Sequence, residues 1–216
     1  MGNSNNLVKY PRTPHVPWSP GNTADDIVLD SIRHLESLVD VVVTEKLDGE
    51  NTTLYRDHMH ARSVDSRAHP SRDWLKRFHA GFRHDIPPNF RICGENLYAR
   101  HSVYYDSLPS YFLVFAVFEH ETCLSWDETV EWCKLLGLEH VPVLYRGPWN
   151  EAKIKSCWRG TSAFGAEQEG YVIRNASRFQ FGDFGRNLAK FVRASHVTSE
   201  EHWMAQALVP NRLSGG

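Results

Sequence analysis

The sequence contains no apolar run near the ~20 residues that a membrane-spanning helix needs. Its first ten residues, Met1 to Tyr10, are polar and lack the apolar core of a signal peptide. Cysteine is scarce, with four in 216 residues. Cys93, Cys123, Cys133 and Cys157 are too far apart in sequence for a zinc knuckle or a redox CxxC pair, and so read as free thiols of a cytoplasmic chain. Histidine is plentiful, but apart from the pair His58 and His60 no HxH spacing occurs and HExxH is absent, which argues against a zinc site. An excess of one charge is also missing: 24 Lys and Arg face 26 Asp and Glu, for a net charge of −2. That balance excludes a histone-like polycation, so any nucleic-acid surface has to be a local patch. Internal repeats and low-complexity tracts are absent.

What is present is the composition of a folded chain, with 41% hydrophobic residues and 23% charged ones. The length fits a single domain over 1–216, with an extended lead-in over 1–22 marked by Pro11, Pro14, Pro17 and Pro20. A helix is predicted from Thr23 to Leu38, on the stripe Ile27, Ile32, Leu35 and Leu38. Val41-Val42-Val43 opens a buried strand, and Thr52 to Tyr55 forms the next, turning at Asp57-His58. Residues 71–82 read as a helix capped by Ser71, with Trp74, Leu75, Phe78 and Phe82 inward and Arg72, Lys76, Arg77 and Arg83 on an exposed basic face. His58, His60 and His69 are expected on exposed loop.

Phe90 to Cys93, Tyr111 to Phe118, Tyr171 to Ile173 and Leu188 to Val192 are strand-like. Ser125 and Glu128 make a capping box for a helix ending at Gly137. A further helix is predicted over Glu151 to Trp158. Thr198 and Glu201 make a second capping box, for a short C-terminal helix within 194–216. Strands and helices mix without regular alternation, which favours α+β over a doubly wound sheet.

One segment carries chemistry. Thr44-Glu45-Lys46-Leu47-Asp48-Gly49-Glu50-Asn51 sits where one strand ends and another begins. Asp-Gly is a common turn pair, so a turn is the plain reading. The chemical reading is a lysine nucleophile: a free lysine has a pKa near ~10.4, and an attacking amine needs desolvation or nearby positive charge. A lysine after a buried valine run, beside a phosphate pocket, meets that need. Gly49 would let the backbone approach a ligand.

The motif KLDGEN resembles the KxDGxN element of the covalent nucleotidyltransferases, the family of ATP-dependent polynucleotide ligases and mRNA capping enzymes. Further segments match that family in order. Arg62-Ser63 resembles the arginine after the nucleophile motif, and Gly94-Glu95-Asn96 resembles its third motif. Tyr111 to Phe118 resembles the strand whose aromatic stacks on the purine. Glu169-Gly170-Tyr171-Val172-Ile173-Arg174 resembles the EGxV motif, and Leu188-Ala189-Lys190-Phe191 the last one. Asn51 narrows the likeness, because DNA ligases and capping enzymes usually carry Arg there and RNA ligases of the dsRNA-repair type carry Asn. The resemblance implies an α+β nucleotidyltransferase (adenylation) domain, with antiparallel sheets and flanking helices around an ATP cleft and Lys46 at its floor.

It also implies the roles. Lys46 takes AMP from ATP as a phosphoramidate, AMP passes to an RNA 5′-phosphate, and a 3′-hydroxyl displaces it to seal the strand. Lys190 and Glu169 complete the catalytic set, with Lys190 on the α-phosphate. Glu169 and Glu95 hold Mg²⁺ or Mn²⁺, and Glu95 can instead bind the ribose. Arg62 contacts ribose or the RNA end, with Arg67 as its competitor. Phe115 stacks on adenine, although Phe112 and Phe118 look alike in sequence. Glu45 reads adenine, Arg193 touches phosphate, and Asp48 shapes the loop.

Two departures stand out. Those ligases often carry two lysines in the last motif, whereas here Lys190 is followed by Arg193. Only 23 residues follow Arg193, too few for an OB domain. The RNA clamp would come from a partner protein, from the basic lead-in Lys9 to His15, or from the terminal helix; no membrane is expected as a partner. The rival readings are a DNA ligase or guanylyltransferase and, in another class, a nucleotide-binding module without catalysis.

Overall fold

The computed structural model describes residues 7–63, 69–194 and 208–215. Two sheets carry the fold. The first contains β1 (Val41–Lys46), β8 (Val143–Gly147), β9 (Gly170–Asn175) and β11 (Leu188–Val192), in the antiparallel order β11-β9-β1-β8. The second contains β2 (Glu50–Leu54), β3 (Met59–Ala61), β4 (Phe90–Asn96), β5 (Phe112–Glu119), β6 (Thr122–Cys123) and β10 (Phe179–Gln180), in the order β10-β6-β5-β4-β2-β3. A short β7 (Glu139–His140) pairs with β5 in parallel. The chain crosses from the first sheet to the second over Leu47-Asp48-Gly49, so the KLDGEN segment joins the two.

The valine run shows why a continuous apolar stretch is required in β1. Val41 and Val43 pack into a core with Leu35, Ile154, Tyr171, Ile173 and Phe191. Val42 packs the other way, with Leu47, Leu97, Tyr105, Leu113 and Trp126. All three valines are fully buried, as expected for a central strand covered on both faces.

The helices are few and short: α1 (Arg33–Glu36), α2 (Asp73–Ala80), α3 (Trp126–Leu136), α4 (Glu151–Lys155) and α5 (Phe184–Asn187). The capping box of Ser125 and Glu128 forms as expected, and Gly137 ends α3 with φ of 64°. Asn150 caps α4, which is shorter than the predicted 151–158.

The helix predicted over 23–38 is reduced to α1. Asp26 turns its carboxylate onto the Thr23 N–H and hydroxyl, closing a local turn. Residues 27–29 then pair with the lead-in: the His15 N–H donates to Ile27 O, and the Leu29 N–H to His15 O. Tertiary pairing overrides the helical stripe here. Ser71 is not a helix cap; it lies in a 3-10 turn over Pro70–Arg72, and the His69 ring accepts from its N–H. Arg72 leaves the expected exposed basic face and is buried against Glu50, with its Nε donating to Glu50 Oε2 at 2.7 Å. His60 is likewise buried, in β3.

The second capping box and Arg67 lie outside the described residues. The described stretch 208–215 is not helical; it is a strap, with Pro210 bridged to Ala99 and Leu213 to Leu108. Among the described residues no helix is long and apolar enough to cross a membrane.

Candidate active site

The registers of the first sheet assemble the basic side of the site. Lys190 lies opposite Val172, Val172 opposite Thr44, and Lys46 opposite Gly170. Side chains alternate along a strand, so Thr44 and Lys46 share a face with Val172 and Lys190. The same face carries Arg174, paired with Leu188. Arg174 bridges the two sheets by donating to Phe115 O at 2.9 Å and Leu124 O at 3.0 Å. Gly170 is required by this pairing, because a Cβ there would fall 1.9 Å from Phe191 O.

The second sheet supplies another row. Asn51 lies opposite Glu95, and the Arg62 N–H donates to Asn51 O at 2.8 Å. Glu95, Asn51 and Arg62 are therefore cross-strand neighbours on one face. The Glu95 carboxylate accepts from the Gly49 N–H at 3.2 Å. Gly49 serves this packing rather than a ligand: a Cβ there would meet Asn96 O at 2.6 Å and Glu95 Cγ at 3.0 Å. The expected role of Gly49 is thus corrected, since its close approach is to β4.

Lys46 ion-pairs with Glu169, which is fully buried just before β9. Burial alone would lower the lysine's pKa, but the charges of Glu169, Glu95 and Asp48 outweigh it and hold the pKa above its usual value. In the unliganded protein Lys46 is therefore an ammonium, opposite to the activated amine that the sequence suggests. Glu95 is pushed up to about 8, first by burial, with Lys46 opposing and Glu169 and Asp48 reinforcing. Lys190 is lowered by burial and by the charge of Lys46, against Asp26, whose carboxylate is 3.4 Å from its Nζ.

Asp48 shapes the loop, as expected. Its Oδ2 accepts from the Ser102 N–H, the Ser102 hydroxyl and the Val103 N–H at 2.6–2.7 Å.

Phe115 is distinguished from its look-alikes by exposure. Phe112 and Phe118 are fully buried, whereas Phe115 is only partly so. It packs on the cluster holding Leu188 and Val172, which lies on the lysine face of the first sheet, and meets Tyr10 edge-on at 5.1 Å. Glu45 lies one residue out of phase with Lys46, and its Oε2 accepts from the Ala163 N–H at 3.0 Å. Arg193 does not join Lys190; its guanidinium is 2.8 Å from Glu167. Glu45 Oε1, Asn51 Oδ1, Arg62 Nε and Arg193 Nε are buried without a hydrogen-bond partner among the described residues. Buried polar atoms are rarely left so, and these four all belong to the motif residues.

The lead-in also contributes to the site, which sequence reasoning saw only as a basic segment. His15 is buried, its Nε2 is 3.4 Å from Asp26, and the neighbouring Val16 N–H donates to Lys190 O. His101 was missed altogether. Its pKa is lowered by burial and by Lys46, against Asp48, Glu50 and Glu169, which places it among the charges around Lys46. Five residues of chain separate it from Glu95, and nothing in that spacing signals proximity.

Among the described residues no cluster of three or more His, Cys, Asp or Glu side chains could hold a metal ion by itself. Two carboxylates, Glu95 and Glu169, do converge on Lys46. That donor set suits a hard divalent cation that completes its shell with phosphate and water oxygens.

The comparisons agree with this architecture. No curated protein matches the chain by sequence. Solved structures of Naegleria gruberi RNA ligase share the fold. A mutant of it with ATP and Mn superposes with a TM-score of 0.58 at 20% identity, over 74% of this chain and 52% of that one. The same ligase with PPi gives 0.55 at 20% identity, over 74% and 51%. The chain thus spans about half the length of these structures. The fold of the chain is that of the RNA ligase adenylation domain, with two antiparallel sheets and few helices. The model of the RNA ligase family matches residues 39–192, a stretch that starts just before β1 and ends with β11. Because that match takes in every ordered motif from Lys46 to Lys190, the chain belongs to the RNA ligase family.

Proposed function

We propose that the chain is an ATP-dependent RNA ligase working through a lysyl-AMP intermediate. The observation that carries this reading is the convergence of Lys46, Lys190, Glu169 and Glu95 from β1, β11, β4 and the turn before β9. In the first step the Lys46 ammonium loses a proton to water, its Nζ bonds to the α-phosphorus of ATP, and a second proton leaves to water as the phosphoramidate forms. The bond to the β-phosphate's bridging oxygen breaks, and pyrophosphate leaves with the electron pair. Splitting one displacement into two is the use of a covalent nucleophile. AMP then moves to the 5′-phosphate of RNA, and a 3′-hydroxyl displaces it.

The residues divide the work. Glu169 orients the Lys46 amine by their ion pair. Lys190 presents a cation to the α-phosphate, where charge builds in the transition state. Phe115 stacks on the adenine, and Arg62 and Asn51 offer polar atoms to the ribose or the RNA end. Glu95 and Glu169 would hold Mg²⁺ or Mn²⁺, which supplies charge neutralisation for the phosphates and for the carboxylates that keep Lys46 protonated.

The structures of Naegleria gruberi RNA ligase with ATP and Mn support this choice of nucleotide and ion. The test is the intact mass of the protein after incubation with ATP and Mg²⁺ or with GTP, for wild type and Lys46→Ala. One AMP added with ATP alone, and lost in the variant, is the expected result. A GMP adduct would point to capping-type chemistry. No adduct in protein first stripped of AMP by pyrophosphate would sink the ligase reading in favour of a nucleotide-binding module.

A further inference from the structure

Outside the cleft the fold forms a cavity of about 550 Å³ lined by Arg100, Tyr104, Val209, Pro210, Asn211 and Arg212. One wall is the segment that follows β4, and the other is the strap at 208–215. The strap is held by its backbone and by one side chain. The Arg100 N–H donates to Val209 O at 2.8 Å, and the Arg212 N–H to Tyr105 O at 2.9 Å. Asn211, buried, accepts from the Tyr105 N–H and donates to Leu97 O. None of these anchors uses a guanidinium.

The two guanidiniums are exposed, and among the described residues neither meets a carboxylate. Four other arginines, Arg72, Arg146, Arg178 and Arg193, are each taken up by an acid. Among the described residues no acid lines the cavity. Tyr104 adds a half-buried ring that has no aromatic neighbour among the described residues, and Val209 and Pro210 add apolar surface.

We infer that this cavity is a binding site for single-stranded RNA, with Arg100 and Arg212 on phosphates and a base against Tyr104. Guanidiniums match phosphate oxygens in pairs, and a ring beside a cationic groove is the pattern that grips a strand without reading its sequence. The site adjoins the nucleophile: Tyr104 precedes Tyr105, whose hydroxyl accepts from the Asp48 N–H, and Arg100 precedes His101, which lies among the charges around Lys46. The inference rests on the RNA ligase reading and answers how the chain takes hold of its substrate.

The test is fluorescence anisotropy of a labelled single-stranded RNA with the full chain, without ATP, over a series of KCl concentrations. Each phosphate contact contributes about −0.7 to the slope of log K against log salt on a single strand. Arg100→Gln with Arg212→Gln is expected to weaken binding and to flatten the slope by about 1.4. Arg100→Lys with Arg212→Lys should restore most of the slope, which a merely structural role would not do. Tyr104→Ala should lower affinity roughly tenfold with the slope unchanged, in line with ~1–3 kcal/mol per stacked base. An unchanged slope in the glutamine variant overturns the inference. So does a wild type that fails to bind the RNA while a poly-glutamate peptide binds it in a way that Arg100→Gln with Arg212→Gln abolishes, which would assign the surface to an acidic protein. Intact mass with ATP separates the two readings: an AMP adduct in a wild type that fails to bind RNA overturns this site alone, whereas RNA binding without an adduct supports the site and overturns the ligase.

Discussion

The hydroxyl of Tyr105 accepts a hydrogen bond of 2.8 Å from the backbone N–H of Asp48, two residues after Lys46. Tyr105 is fully buried and sits between the KLDG loop and the strap, whose Asn211 accepts from its N–H. The loop is therefore held from both sides: by its own Asp48 carboxylate on Ser102 and Val103, and by Tyr105 from below. Tyr105→Phe leaves the Asp48 N–H buried without an acceptor, at a cost of about 1–3 kcal/mol. We expect lysyl-AMP formation to slow about tenfold in single-turnover labelling, since small misplacements of a nucleophile are costly. An unchanged rate would mean that the Asp48 carboxylate holds the loop alone.

Lys190→Ala removes the second cation of the cleft and leaves Asp26 with Thr23 and His15 as its partners. Loss of one preformed charge at a developing negative centre costs about 10²–10³ in rate. Labelling by ATP should fall by that order while the melting temperature changes little. Labelling at the wild-type rate would remove Lys190 from the site.

Arg72→Ala exposes a different dependence. Arg72 and Glu50 are both nearly buried and meet through two hydrogen bonds. Removing the arginine strands the Glu50 carboxylate beside the nucleophile loop. Breaking a buried pair in this way costs about 3–5 kcal/mol. Urea unfolding should show that loss, and the double change Arg72→Met with Glu50→Gln should recover much of it.

His15 gives the protein a pH-dependent stability. Burial and the charge of Lys190 bring its pKa down to about 4 from 6.5, against the pull of Asp26, which stays ionised with its own pKa at about 2. A depressed histidine leaves the folded state short of a proton that the unfolded chain binds. Its contribution is intact above pH 6.5 and is lost as pH falls through 6.5 toward 4, by about 3 kcal/mol at pH 4. His15→Gln should flatten the fall in melting temperature over that window. A parallel fall in both proteins would place the titrating group elsewhere.

Much of the site could be read from the chain alone because its logic is local. The KLDGEN segment, the carboxylate of Glu169 before an apolar strand and Lys190 within another are each defined by a few neighbouring residues. The valine run at 41–43, the capping box of Ser125 and Glu128 and the αL glycine at 137 are local in the same sense, and each forms where its residues stand.

What the tertiary structure decided concerns residues whose role comes from a distant partner. The apolar stripe over 23–38 describes a helix, yet pairing with His15 holds residues 27–29 extended, and Asp26 lies beside Lys190. Three phenylalanines of β5 are equivalent in sequence, and only their packing singles out Phe115. Gly49 looks like a ligand glycine and is instead a contact glycine for β4. Lys46 looks activated and is held as an ammonium by carboxylates from 49 and 123 residues away in the chain. Backbone preference and capping act within a few residues, so sequence determines them; charge balance and close packing are sums over neighbours that only the folded chain brings together.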